Sequence, residues 1–181
     1  MSACGGQPRW IEQTASAARF LTSFWLGAAA LFVAAGVREV TTPELSDAVK
    51  DLLVSRRFPV FYGFQWVCLA GAIGCAGVLC CFRKWGRDRV IFGLVLLAGA
   101  LAVGDYVLVY RPLLELITPP GQPRCDAFES LHKTSEIVNS VGWLLVFAAA
   151  CLLHACPQAF GCHLPGGSQL VDLQTRPKSP T

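Results

Sequence analysis

Residues 90–110 read VIFGLVLLAGALAVGDYVLVY, a run whose one charge is Asp105. At ~1.5 Å per helical residue such a run crosses a hydrocarbon core of ~30 Å, a length that a soluble domain of this size does not need. Phe20–Val37, Phe58–Phe82 and Ile137–Cys156 have the same character. The fold class that follows is an all-α integral membrane protein, with four transmembrane helices bundled over residues 20–156. Residues 1–19 then form a cytoplasmic N-terminal segment, and residues 157–181 a flexible tail that includes a Pro-Gly-Gly-Ser stretch.

Composition agrees. Hydrophobic residues make up 54% of the chain and charged residues 15%, and the mean hydropathy is +0.49, too apolar for a surface kept in water. The connections are too short to build a second core, so there is one domain. A net charge of +3, spread along the membrane edges, argues against nucleic acid as a partner and leaves the lipid bilayer and other membrane proteins. Arg9 and Arg19 ahead of an apolar run could also be read as a secretory signal. Phe20–Val37 is longer than the ~7–15 residues of a signal core, so it counts as a span.

Orientation comes from the cations. The short second connection carries Arg83, Lys84, Arg87 and Arg89, and short loops dense in Lys and Arg stay cytoplasmic. Both chain ends are then expected in the cytoplasm, in a plasma membrane or endomembrane protein. Arg56 and Arg57 are the densest cluster on the opposite side.

In the first connection, Thr41 or Thr42 can cap a helix opened by Pro43 and Glu44. Its apolar residues Leu45, Ala48, Val49, Leu52 and Leu53 recur at helical spacing, with Asp47, Lys50, Asp51 and Arg57 on other faces. The expectation is a short amphipathic helix between spans one and two, either on the membrane surface or packed over the mouth of the bundle. Within the spans, small residues such as Gly27, Ala30, Ala34, Gly71, Gly74, Gly77, Ala98, Ala102 and Gly104 suit close helix contact. Packing inside one chain is favoured over a dimer interface.

The candidate site is polar and lies at one depth. Asp105 sits ~8 Å and Gln65 ~10 Å inside the outer edges of their spans, and Asn139 lies just inside the fourth. His132, Ser135, Glu136 and Asn139 repeat on one helix face and carry the polarity inward. An ionisable group inside a span costs roughly 2.5–3.5 kcal/mol on the insertion scale, so Asp105 is expected to face the bundle or snorkel outward. Two readings remain: an interhelical hydrogen-bond clamp, or a proton, cation or solute site built from Gln65, Asp105, His132, Ser135 and Asn139.

Cys68 and Cys75 read as buried filler. Cys80 and Cys81, beside Arg83, are candidate palmitoylation sites. Cys125 lies in an outward connection with no obvious disulfide partner. His154, Cys156, Cys162 and His163 have ligand chemistry for Zn(II) or Cu(I), but their spacing matches no strong metal signature, and no metal or cofactor is assigned. The chain has no G-x-S-x-G, H-E-x-x-H or phosphate loop, so it is not read as an enzyme.

Phe24-Trp25-Leu26-Gly27, Phe58-Pro59-Val60-Phe61-Tyr62, Arg111-Pro112, and the F-x-x-L-H-x-x-S-x-x-x-N pattern of Phe128, Leu131, His132, Ser135 and Asn139 resemble the transmembrane protein 205-like family. The resemblance covers roughly Phe24–Trp143, and the fourth-span pattern is its most specific part. It implies a four-helix membrane protein without established catalytic residues; one animal member is associated with resistance to platinum drugs and with vesicular or surface membranes. This chain departs from the animal pattern in a shorter third connection and in Asp105, where an amide is usual. The functional expectation is a non-enzymatic membrane scaffold or trafficking component. The alternative is a small transporter or export accessory that handles a cation, metal or drug around Asp105.

Overall fold

The computed structural model describes residues 8–83 and 86–155. Among them are α1 (Arg9–Thr41), α2 (Asp47–Arg83), α3 (Gly86–Asp105), a π-helical turn (Tyr106–Tyr110), α4 (Arg111–Leu116) and α5 (Asp126–His154), and no strand. The α3–π–α4 stretch is one rod, so four helices are long and apolar enough to cross a membrane. Only 17–33% of the most apolar part of each is buried within the protein. The remaining apolar surface faces outward, as a bilayer requires and water penalises.

The helices pack around a square in the order α1, α2, α3, α5. The reason is visible in the spacing of their buried residues. Ile11, Ala15, Ala18, Thr22, Trp25 and Ala29 line α1; Tyr62, Gln65, Leu69, Ala72, Ala76 and Leu79 line α2; Asp88, Ile91, Val95, Ala98, Ala102 and Asp105 line α3. Gly142, Val146, Ala149 and Leu153 line α5. Steps alternating between three and four residues keep one narrow seam facing the neighbours, the geometry of left-handed bundles. Where Gly71 meets Leu21, an added Cβ would stand 2.9 Å from the leucine methyl, so the missing side chain gives Leu21 its seat between α1 and α2. Gly27, Gly74 and Gly104, by contrast, have open space where a side chain would go. They do not serve the close contacts expected of them.

One end of the bundle gathers both described chain ends and the second connection. Arg19 Nε donates to Leu153 O at 2.9 Å, placing a cation on the carbonyl end of α5, where the helix dipole is negative. Trp10 meets Phe82 edge-on at 4.8 Å, and an Arg87 guanidinium nitrogen lies 3.5 Å from Ala155 O.

Three boundaries differ from expectation. α1 begins at Arg9, and Ile11, Ala15 and Ala18 already belong to the core, so residues 9–19 belong to the bundle, not to a separate segment. The amphipathic stretch of the first connection is not a separate helix: it forms the first turns of α2, which runs unbroken through Pro59 for ~55 Å. No glycine or proline interrupts 47–58, and a helix long and apolar enough to cross a membrane tolerates the loss of the one hydrogen bond that Pro59 removes. The break falls earlier, at Thr42, which precedes Pro43 and is extended (φ −77°, ψ 114°). Finally, Arg111-Pro112 does not end the third helix. The Arg111 N–H reaches back five residues to Tyr106 O, a π turn in register with a following proline that has no N–H to offer. The expected tail, 157–181, lies outside the described residues.

Candidate functional site: a polar layer around Asp105

Toward the end of the bundle opposite the chain ends, the apolar seams give way to polar side chains. Asp105 terminates the seam of α3 and is 1% exposed. Its Oδ2 accepts from the Tyr62 hydroxyl of α2 at 2.5 Å and from Asn139 Nδ2 of α5 at 2.9 Å. Its Oδ1 accepts from Ser135 Oγ at 2.9 Å. Asn139 Nδ2 is itself tied back to Ser135 O at 2.9 Å, which fixes the amide with its donors toward the carboxylate. Three donors on one acceptor-only group satisfy it without solvent, the condition for burying a charge-bearing side chain.

An aromatic wall stands beside the layer. Tyr62 packs against Tyr106 at 5.0 Å and Tyr110 at 4.9 Å, and Trp66 packs against Tyr106 at 4.8 Å. The π turn supports this arrangement, since its wider winding carries Tyr106 and Tyr110 directly after Asp105.

Of the residues expected to cluster, Asp105, Ser135 and Asn139 do so. Gln65 is 2% exposed in the same layer, but it is not among the hydrogen-bond donors to the carboxylate; it lines a cavity of about 10 Å³ together with Trp25 and Asn139. His132 is the correction. Its side chain is 56% exposed, lies 3.2 Å from Glu136 Oε1 and stacks on Phe128, one helical turn short of the buried level. Tyr62 completes the site, a residue that charge and depth in the sequence do not single out. Its spacing of three from Gln65 on the buried face of α2 is the signal that points to it.

A second polar contact lies in the outer connections. Asp51, 2% exposed, accepts from the Gly121 N–H at 2.9 Å and from the Arg124 guanidinium. Arg124 also lies over the Phe128 ring at 4.3 Å. This pins the third connection onto the first turns of α2. Gly121 permits the approach through its φ of +88°, and Ala48 Cβ stands 3.2 Å from where a side chain would begin. Nearby, Arg57 pairs with Glu39 at 2.7 Å and covers Phe32 at 4.4 Å, joining α1 to α2.

Among the motif residues of the family resemblance, Phe58 stacks on Tyr110 at 5.6 Å, Pro59 is exposed, Pro112 and Leu131 are half-buried, and Leu113 beyond Pro112 is buried. Cys68 is buried, Cys75 and Cys80 are half-buried, and Cys81, Cys125 and Cys151 are exposed free thiols. His154 Nε2 lies 3.3 Å from Ser23 Oγ; Cys156, Cys162 and His163 lie outside the described residues. Among the described residues, no group of three or more His, Cys, Asp or Glu side chains could hold a metal.

Fold and site together define a class: a four-helix bundle with candidate membrane-spanning helices, closed by a carboxylate-centred layer. No family model matches the chain, and neither do any curated proteins or solved structures.

Proposed function

We propose that this chain is a multi-pass integral membrane protein that acts as a non-enzymatic scaffold or trafficking component, with its polar layer serving to lock the helices. The observation that carries this reading is the saturation of Asp105, which takes three hydrogen bonds from two neighbouring helices. A site that used Asp105 to handle a passing cation would have to exchange these partners for the solute. Here the partners are supplied by the protein, and His132 stands outside the layer. A rigid bundle leaves its outward apolar faces and its pinned outer connections as the surfaces for membrane-protein partners.

Placed in a plasma membrane or endomembrane, the end bearing Arg19, Arg83, Arg87 and Arg89 faces the cytoplasm under the positive-inside rule. Both chain ends go with it. The likeness to the transmembrane protein 205-like family, and the absence of enzymatic activity, belong to the same proposal.

The test is flux. Purified protein in lipid vesicles is expected to pass cations, metals and cationic drugs no faster than protein-free vesicles, with or without Asp105→Asn and His132→Ala. Removing the chain from cells is expected to redistribute other membrane proteins between the surface and internal membranes. A flux that the paired substitutions abolish would transfer the assignment to a transporter.

A further inference from the structure

The cavity beside the Asp105 layer is bounded by all four long helices. Leu69, Ala102 and Gly142 give it apolar walls, and Trp25, Gln65 and Asn139 give it polar ones. Two of those polar groups are unusual in a membrane interior: the Trp25 indole nitrogen and the Gln65 amide oxygen are buried and have no partner within the protein. Unpaired polar atoms are costly in a low-dielectric interior, and they are rare in folded proteins.

Their chemistry is complementary. An indole nitrogen only donates, and an amide oxygen only accepts. A free volume of about 10 Å³ is the room of a single water, which needs two to four polar partners to stay in place. Asn139, on the rim, belongs to the network that holds Asp105.

We infer that this cavity holds one ordered water, which accepts from Trp25 Nε1–H and donates to Gln65 Oε1. The direct bonds of the layer join α2, α3 and α5; the water ties in α1. The site extends the lock on which the scaffold reading leans, but its test reads hydration and folding, not flux, so either can fail alone.

The experiment uses the full chain in lipid nanodiscs with ¹⁵N-labelled indoles, the Trp25 signal being assigned by its loss in Trp25→Phe. A long-lived cross-peak between the Trp25 indole N–H and water is expected, and Gln65→Leu should weaken or remove it. Thermal unfolding supplies the second reading. With a bridging water, Gln65→Leu lowers the midpoint by a few degrees, and Trp25→Phe combined with Gln65→Leu falls no lower than the worse single variant, because both act on one bridge. A dry cavity gives the opposite sign: Gln65→Leu removes an unpaired amide and leaves the midpoint unchanged or higher. That result, with no water cross-peak at Trp25, overturns the inference.

Discussion

The Tyr62 hydroxyl donates to Asp105 Oδ2 at 2.5 Å, joining α2 to α3 at the level where Ser135 and Asn139 of α5 reach the same carboxylate. Tyr62→Phe removes that donor alone and keeps the ring against Tyr106 and Tyr110. A loss of about 1–2 kcal/mol in unfolding free energy is expected, the range for hydrogen bonds between helices in membranes and to charged groups. Asp105→Ala should cost more than Tyr62→Phe, because it removes the shared acceptor of three donors at once and leaves the buried Tyr62 hydroxyl unpaired, and Asp105→Asn should fall between wild type and Asp105→Ala. Denaturant titration in mixed micelles measures the order; a Tyr62→Phe variant as stable as wild type would remove the tyrosine from the lock.

Asp51→Ala should release the third connection, because the Gly121 N–H and the Arg124 guanidinium both rest on that carboxylate. Trypsin cleavage at Arg124 is expected to accelerate several-fold in nanodiscs while the bundle stays folded. Cleavage at the wild-type rate would mean that the connection is held by other contacts.

His132→Ala is expected to change stability by no more than about 0.5 kcal/mol, as befits an exposed pair four residues apart on a helix. The comparison with Asp105→Ala separates the exposed part of the fourth-span pattern from its buried part. A loss equal to that of Asp105→Ala would place His132 inside the lock after all.

Gly71 and Gly74 are one helical turn apart, yet they should respond in opposite ways. Gly71→Val pushes into Leu21 and is expected to cost about 1–3 kcal/mol by overpacking. Gly74→Ala enters open space and gains helix propensity, so its effect should be neutral or stabilising. Parallel unfolding curves of the two variants decide the matter, and equal destabilisation would contradict the packing described.

Part of the candidate site is legible in the sequence. Asp105, Gln65 and Asn139 stand out because a polar atom in an apolar span must be explained, and depth along a helix is counted directly from the residues. His132 shares a periodicity with Ser135 and Asn139 that suggests the same group. That spacing fixes a common face but not burial, and one turn toward the helix end is enough to leave the imidazole exposed. Tyr62 is marked only by its place in the Phe58-Pro59-Val60-Phe61-Tyr62 stretch and by its spacing of three from Gln65, neither of which says that it reaches Asp105, and Asp51 carries no comparable signal, because an aspartate in a connection is unexceptional.

The chain by itself determined four apolar spans and the depth of the polar residues along them, though not where the helices that carry the spans begin, since hydrophobicity adds up locally and helical rise is constant. Tertiary structure alone decided which donors converge on Asp105, that Asp51 anchors the third connection, and that the first turns of α2 continue without a break into its span. Those outcomes depend on how each helix is rotated about its axis. That rotation is fixed jointly by the seams of all four helices, by the close approach at Gly71 and by the π turn after Asp105, and no single segment carries it.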